Sequence, residues 1–206
     1  MSRNSNFARV RMAIVCASAA LAVLAATPIL AEPKPIVVDV STPSAAAVKA
    51  QTIINKSGSY VLNGNIVNKR VNAASVSVTV PNVTINLQGF SITSTVASPA
   101  GIDATGQSNV VVTNGIISGF GGPAIIAGPA ATISGITATG NGSGISCGPG
   151  CLARGNVLQG NSGVGLNFSD ASSGYLGNVL QGNNSGGAQV SGGTSLGQNL
   201  CNGTAC

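Results

Sequence analysis

Past residue 40 the chain carries two carboxylates, Asp103 and Asp170, its repeats contain one arginine, Arg154, and histidine is absent throughout. A facing pair of carboxyls can cleave a glycosidic bond, one protonating the leaving oxygen while the other attacks or activates water. A carboxylate cluster can hold calcium, which takes six to eight oxygen ligands. A side-chain nucleophile needs a base beside it. None of these sets is complete. Asp103 follows Gly101-Ile102 and precedes Ala-Thr-Gly, a turn context. Asp170 ends Asn-Phe-Ser-Asp, where it caps the following turn or pairs with Arg154. Both read as structural carboxylates. Were the chain an enzyme, Asp103, Arg154 and Asp170 would be the residues to carry the chemistry. No metal and no cofactor is expected.

Cysteine is the other reactive type. Once an N-terminal leader is set aside, Cys147, Cys151, Cys201 and Cys206 remain. An even number in an exported chain points to disulfides, and three pairings are open. The local pairs, Cys147–Cys151 across Gly-Pro-Gly and Cys201–Cys206 across Asn-Gly-Thr-Ala, are preferred because each brackets a turn. Export and the lack of histidine disfavour zinc on the same thiols. Loops this short remove little chain entropy, so their expected role is to pin a turn and keep the last coil from fraying.

The leader is residues 1–31. Arg3, Arg9 and Arg11 precede an apolar run from Met12 to Ala26, and Pro28 and Ala31 follow before Glu32-Pro33. This is the layout of a secretory signal cleaved after Ala31. The run is short of the roughly 20 residues a membrane span needs, so no stable membrane insertion is expected after processing. Cys16 lies too early in the run, and after Val15, for a lipoprotein signal. A secreted or periplasmic location follows. The formal charge of +5 then falls to +2, with Lys34, Lys49, Lys56, Lys69, Arg70 and Arg154 against Glu32, Asp39, Asp103 and Asp170. With no basic stripe interleaved with aromatics, nucleic acid is not an expected partner.

The scaffold that positions these residues is written in repeats. Gly155-Asn-Val-Leu-Gln-Gly-Asn161 returns unchanged as Gly177-Asn-Val-Leu-Gln-Gly-Asn183. Gly115, Gly135, Gly155, Gly177 and Gly197 keep the same beat, as do Ile125, Ile145 and Leu166. A fixed period of about 20–22 residues with apolar β formers marks a solenoid whose coils bury their faces on one another. The composition agrees: 29 glycines, 3 % aromatic and 6 % charged residues leave small aliphatics to form the core. Tyr60-Val-Leu62, Val76 to Val80, Val83-Thr-Ile85, Val110 to Val112 and Ile116-Ile117 are β-branched runs parted by turn signals, with no helical pattern between them. The fold class is all-β, a parallel β-helix over residues 58–206. Residues 32–57 form an N-terminal leader and cap, including a short helix from Thr42 to Ala50 with Thr42 as N-cap and Pro43 in its first turn.

Aligning the late coils on glycine gives columns. Ile136, Asn156, Asn178 and Gln198 form one, and Ala138, Leu158, Leu180 and Leu200 the next on the same face, which is assigned to the interior. The intervening columns, Thr137, Val157, Val179, Asn199 and Thr139, Gln159, Gln181, Cys201, then face water. Slipping the register by one residue would exchange the faces. Asn141, Asn161 and Asn183, each after a glycine, end strands where asparagine tolerates left-handed backbone and stacked amides bond from coil to coil; a sugar-binding amide row is the functional alternative. Asp103 and Asp170 fall about three coils apart, roughly 14 Å along the axis at about 4.8 Å per coil, too far for a glycosidase pair.

Asn82 to Ile92, Asn109 to Phe120, Gly58 to Asn65, the repeats and the closing Gly-Gln-Asn-Leu-Cys201 resemble the coils of bacterial right-handed parallel β-helix proteins of the pectin-lyase-like superfamily. The resemblance covers roughly residues 55–206 and implies fold far more than activity, because that group includes polysaccharide lyases, hydrolases, epimerases and members with no assigned reaction. Its lyases use a Lys or Arg base beside carboxylate-bound calcium and its hydrolases grouped aspartates, and neither set is present here. An ice-binding rank is also broken, since Thr137-x-Thr139 gives way to Val157/Gln159 and Val179/Gln181. The expectation is an exported, non-enzymatic solenoid whose outward residues Thr137, Thr139, Val157, Gln159, Val179 and Gln181 contact a polysaccharide or another cell-envelope component. The alternative is a carbohydrate-active enzyme, a lyase or hydrolase of that superfamily.

Overall fold

The structure is a computed structural model that describes residues 34–38 and 51–206. The expected signal (1–31) and the expected cap helix (Thr42 to Ala50) lie outside the described residues.

Short β-branched strands recur with the chain always running the same way, so each strand hydrogen-bonds to its counterpart one coil on. About seven turns result. Among the described residues every strand pairing is parallel except one at the C-terminus, where Leu200–Cys201 pairs antiparallel with Thr204–Ala205. The turns build three stacks of strands. The first runs from Ile36–Val38 through Gly58–Leu62 and Val83–Asn86 down to Thr194–Ser195, and the second from Ile66–Asn68 through Ser91–Ser94 to Leu200–Cys201. In two middle coils one strand, Val111–Ser118 or Thr132–Thr139, bends to serve both stacks, which therefore count as one 14-stranded sheet. The third stack, Thr52–Ile54 to Val190–Ser191, is a separate sheet of seven strands. Ile36–Val38 and Thr52–Ile54 pair into these stacks, so the solenoid begins before Gly58.

The core follows from strand alternation. In the third stack Val76, Ile102, Ile125, Ile145 and Leu166 lie one above the next and are fully or almost fully buried. In the second stack Ile66, Ile92, Ile117, Ala138, Leu158 and Leu180 do the same. In the first, Tyr60, Ile85, Val112, Ile133, Ala153 and Tyr175 share a column. Aromatics are few, and Phe168 stacks on Tyr175 at 5.7 Å between ring centres.

The regular period belongs only to the later turns. There the first-stack column passes from Val112 to Ile133, Ala153, Tyr175 and Ser195 in nearly even steps. Its earlier members, Ile36, Tyr60, Ile85 and Val112, stand further apart along the chain and by a growing interval, because the early corners are longer loops. At the sharp corner between first and second stacks, Gly135, Gly155 and Gly177 adopt left-handed φ of 63°, 60° and 62°. Gly115 does not belong to this series. Its coil turns on Asn114 at φ 57°, and Gly115 pairs with Ile136 one residue later, where any Cβ would lie 2.4 Å from that of Leu87.

Candidate functional site

The two carboxylates are turn-builders. Asp103 Oδ1 accepts the Thr105 backbone N–H at 3.0 Å and its hydroxyl at 2.6 Å. Asp170 Oδ1 accepts from Ser172 in the same two ways, at 3.0 and 2.7 Å. Each is the first residue of an Asp-Ala-Ser/Thr turn, which gives the carboxylate a structural task. Asp103 shares its outward column with Ile126, Ser146 and Asn167, so Asp170, three residues after Asn167, lies in the third coil after it. Arg154 is exposed, and no ion pair joins it to Asp170 among the described residues. Nor does any group of three metal-ligating side chains occur among them.

Cys147–Cys151 and Cys201–Cys206 are disulfides, with Cα separations of 5.8 and 5.5 Å. The first closes a corner, and both of its cysteines are buried. The second ties the C-terminal residue to the last second-stack strand, and there the Cys206 N–H also donates to the Asn199 carbonyl at 3.2 Å. Disulfides of this kind persist in oxidising surroundings.

Two buried amide ladders hold the late corners. In one, Asn156, Asn178 and Asn199 are at most 2 % exposed. Each Oδ1 accepts from the backbone of the coil before it: Ile136 N–H to Asn156 at 3.0 Å, Asn156 to Asn178 at 3.0 Å, Asn178 to Asn199 at 2.9 Å. Each Nδ2 returns a bond to that same coil, to the carbonyls of Ile133, Ala153 and Tyr175. The second ladder, Asn141, Asn161 and Asn183, is built the same way and ends on Gln189, whose Oε1 accepts both the Asn183 N–H and its Nδ2. Buried polar groups need such partners, and an unpaired one costs about 1–3 kcal/mol. These amides are therefore structural, and a sugar has no access to them.

Up to the last coil the face assigned to water does face water, with Thr137 half-buried on it. Thr137 pairs with Ile116 and Val157, Val157 with Val179, and Val179 with Leu200, forming one outward column. Two residues along, Ser118, Thr139, Gln159 and Gln181 form a second. Ile116, Val157, Val179 and Leu200 are 41, 39, 39 and 45 % exposed. The side chains of Thr137, Thr139, Gln159 and Gln181 make no hydrogen bond among the described residues, so their polar groups are available to a ligand.

The last coil slips by one residue against the expected alignment. Asn199, expected outside, is the buried ladder member, and Gln198 lies at the corner with φ 56°. Leu200, expected inside, stands on the exposed column, while Cys201 pairs with Leu180 in the inward one. An additional residue at Gly197-Gln198 causes the shift, and a side-chain period of two then exchanges the faces. Ile116 and Ser118 extend the outward columns by a coil. The alternation of Val111–Ser118 was the signal for them. No family model matches the chain, and no curated protein or solved structure does so either.

Proposed function

We propose that this is an exported, non-enzymatic β-solenoid of the right-handed, pectin-lyase-like kind, secreted or periplasmic, whose second-stack face contacts a glycan or another cell-envelope component. The observation that carries this reading is the contrast in how polar groups are used. Inside, every ladder amide is engaged. Outside, Thr137, Thr139, Gln159 and Gln181 stand unengaged on a backbone fixed by parallel pairing, beside an aliphatic column and with no charged residue in either column. A rigid neutral face of amides and hydroxyls suits a neutral polyhydroxylated partner, because little side-chain order remains to be lost on binding. No aromatic stands in these columns, so contacts are hydrogen bonds and aliphatic packing, and affinity arises from repetition along several coils. Against catalysis stand the separate turn roles of Asp103 and Asp170.

The test is retention on a panel of insoluble and immobilised polysaccharides, followed by assays for unsaturated products and new reducing ends with and without calcium. The expected result is retention by at least one neutral glycan, lost in a Gln159→Ala/Gln181→Ala variant, without turnover. Turnover abolished by Asp170→Ala or Arg154→Ala would replace this reading with a carbohydrate-active enzyme.

A further inference from the structure

Among the described residues each of the three stacks ends, on the N-terminal side, on a strand with an exposed aliphatic residue. The end strands are Ile36–Val38, Ile66–Asn68 and Thr52–Ile54. Ile36 and Val37 are 48 and 53 % exposed, Val67 50 % and Ile53 58 %. Val71, on the loop leaving the second stack, is 56 % exposed. The aliphatics thus ring one end of the solenoid instead of lining one side.

Charge is distributed in the same way. Among the described residues up to Val71 stand Lys34, Lys56, Lys69 and Arg70 and no carboxylate, a net +4. Residues 72–206 contain Arg154 against Asp103 and Asp170, a net −1. Lys34, Lys56, Lys69 and Arg70 are all exposed. The loop bearing two of them is built to present side chains. Asn68 Oδ1 accepts the Arg70 N–H at 2.9 Å, Asn68 Nδ2 donates to the Ala73 carbonyl at 3.1 Å, and the Ser98 hydroxyl donates to the Arg70 carbonyl. With its backbone held inward, the loop shows its surroundings Lys69, Arg70 and Val71.

We infer that the N-terminal end of the solenoid docks on an anionic lipid surface. Cations interleaved with aliphatics match such a surface at both levels, phosphate outside and acyl chain beneath, with Lys and Arg stems lying along the boundary. A soluble polyanion would engage the cations and leave the aliphatics in water. Nucleic acid would in addition call for stacking aromatics, which this end does not show among the described residues. A second copy joined through the same end would set like charges against each other. The contact is peripheral, and among the described residues no helix is long and apolar enough to cross a membrane. It does not depend on Thr137, Thr139, Gln159 or Gln181, although Val67 heads the outward column that runs through Thr93 and Ser118 to Thr139.

The experiment is co-sedimentation of the full chain with vesicles of phosphatidylcholine alone and of phosphatidylcholine with phosphatidylglycerol, all variants prepared identically so that any retained leader contributes equally. Binding is expected on the anionic vesicles and to fall with added salt. Lys69→Ala/Arg70→Ala should weaken partition on the order of 25-fold, about fivefold per charge. Val71→Asp should weaken it as well, while Leu196→Asp, the same kind of change at the opposite end, should match wild type. Circular dichroism unchanged from wild type certifies each fold. Equal binding to both vesicle types, an unaffected Lys69→Ala/Arg70→Ala variant, or an equal loss in Leu196→Asp overturns the inference. So does retention on an acidic polysaccharide with none on vesicles, or a dimer in light scattering that Val71→Asp dissolves.

Discussion

The early and late turns of this solenoid solve the same corner problem differently. Before Val112 the turns are long, and their stacked amides lie at the surface: Asn109 Nδ2 reaches Asn82 Oδ1 at 3.1 Å, and Asn114 Nδ2 reaches Asn86 Oδ1 at 3.4 Å. After Val112 the turns are several residues shorter, and the amides are inside. The difference teaches where the saving in length comes from. A tight corner cannot reach solvent with all of its backbone groups, so a side chain must satisfy them from within. Asparagine, with one acceptor and two donors on a short stem, meets an N–H, a carbonyl and the next amide together.

The sharpest way to break this comparison is to remove one inner amide. Asn178→Ala leaves the Asn156 N–H, the Asn156 side-chain amide and the Ala153 carbonyl without their partner. The expected loss is on the order of 3–6 kcal/mol, against about 1 kcal/mol for Asn86→Ala at the surface. Equal midpoint shifts for the two in urea titration would mean the inner ladder is no more important than the outer one. Next comes the aliphatic column beside the ladder. Leu180→Ala opens a cavity between coils and should cost about 2–5 kcal/mol by the same titration, whereas Val179→Ala, one residue away and outward, should stay within about half a kcal/mol. A reversal of that order would put the outward face inside.

Replacing both Cys201 and Cys206 by alanine should lower stability by about 2 kcal/mol, the chain-entropy value for so short a loop. Amide exchange should localise the loss to the last coil. Uniform acceleration through the early turns would show instead that the clasp holds the whole rod. The smallest effect is expected from Asp170→Asn, whose Oδ1 still accepts from Ser172: thermal melts should differ from wild type by no more than about half a kcal/mol in stability.

How much of this was legible in sequence follows the same division. The identical heptapeptides set the late register, the inward leucines and the inward asparagines, because alternation and a constant period leave one consistent arrangement. At Gly197-Gln198 one residue is added without changing the character of the motif, so the pattern puts Asn199 outside and Leu200 inside, the reverse of where they stand. The early turns were readable as strands, but not in phase, since loops of unequal length have no period. Ile36–Val38 and Thr52–Ile54 are strands of the solenoid that read in sequence as leader and cap, because such short strands do not show a pattern by themselves. The carboxylates were legible as turn residues from their neighbours. A ligand was not, because a neutral outward face has no residue type whose chemistry names its partner.

The ladders also have a direction. Every inner asparagine reaches back to complete the backbone of the coil made just before it, while its own N–H and one Nδ2 hydrogen wait for the amide of the next. For a chain emerging N-terminus first, each newly formed turn is therefore unfinished until its successor arrives. At Asn183 the acceptor comes from close by in the chain instead, where Gln189 doubles back to take both its N–H and its Nδ2. A polypeptide interrupted in mid-rod would end on a turn with bare buried donors and acceptors, a defect that quality control could recognise.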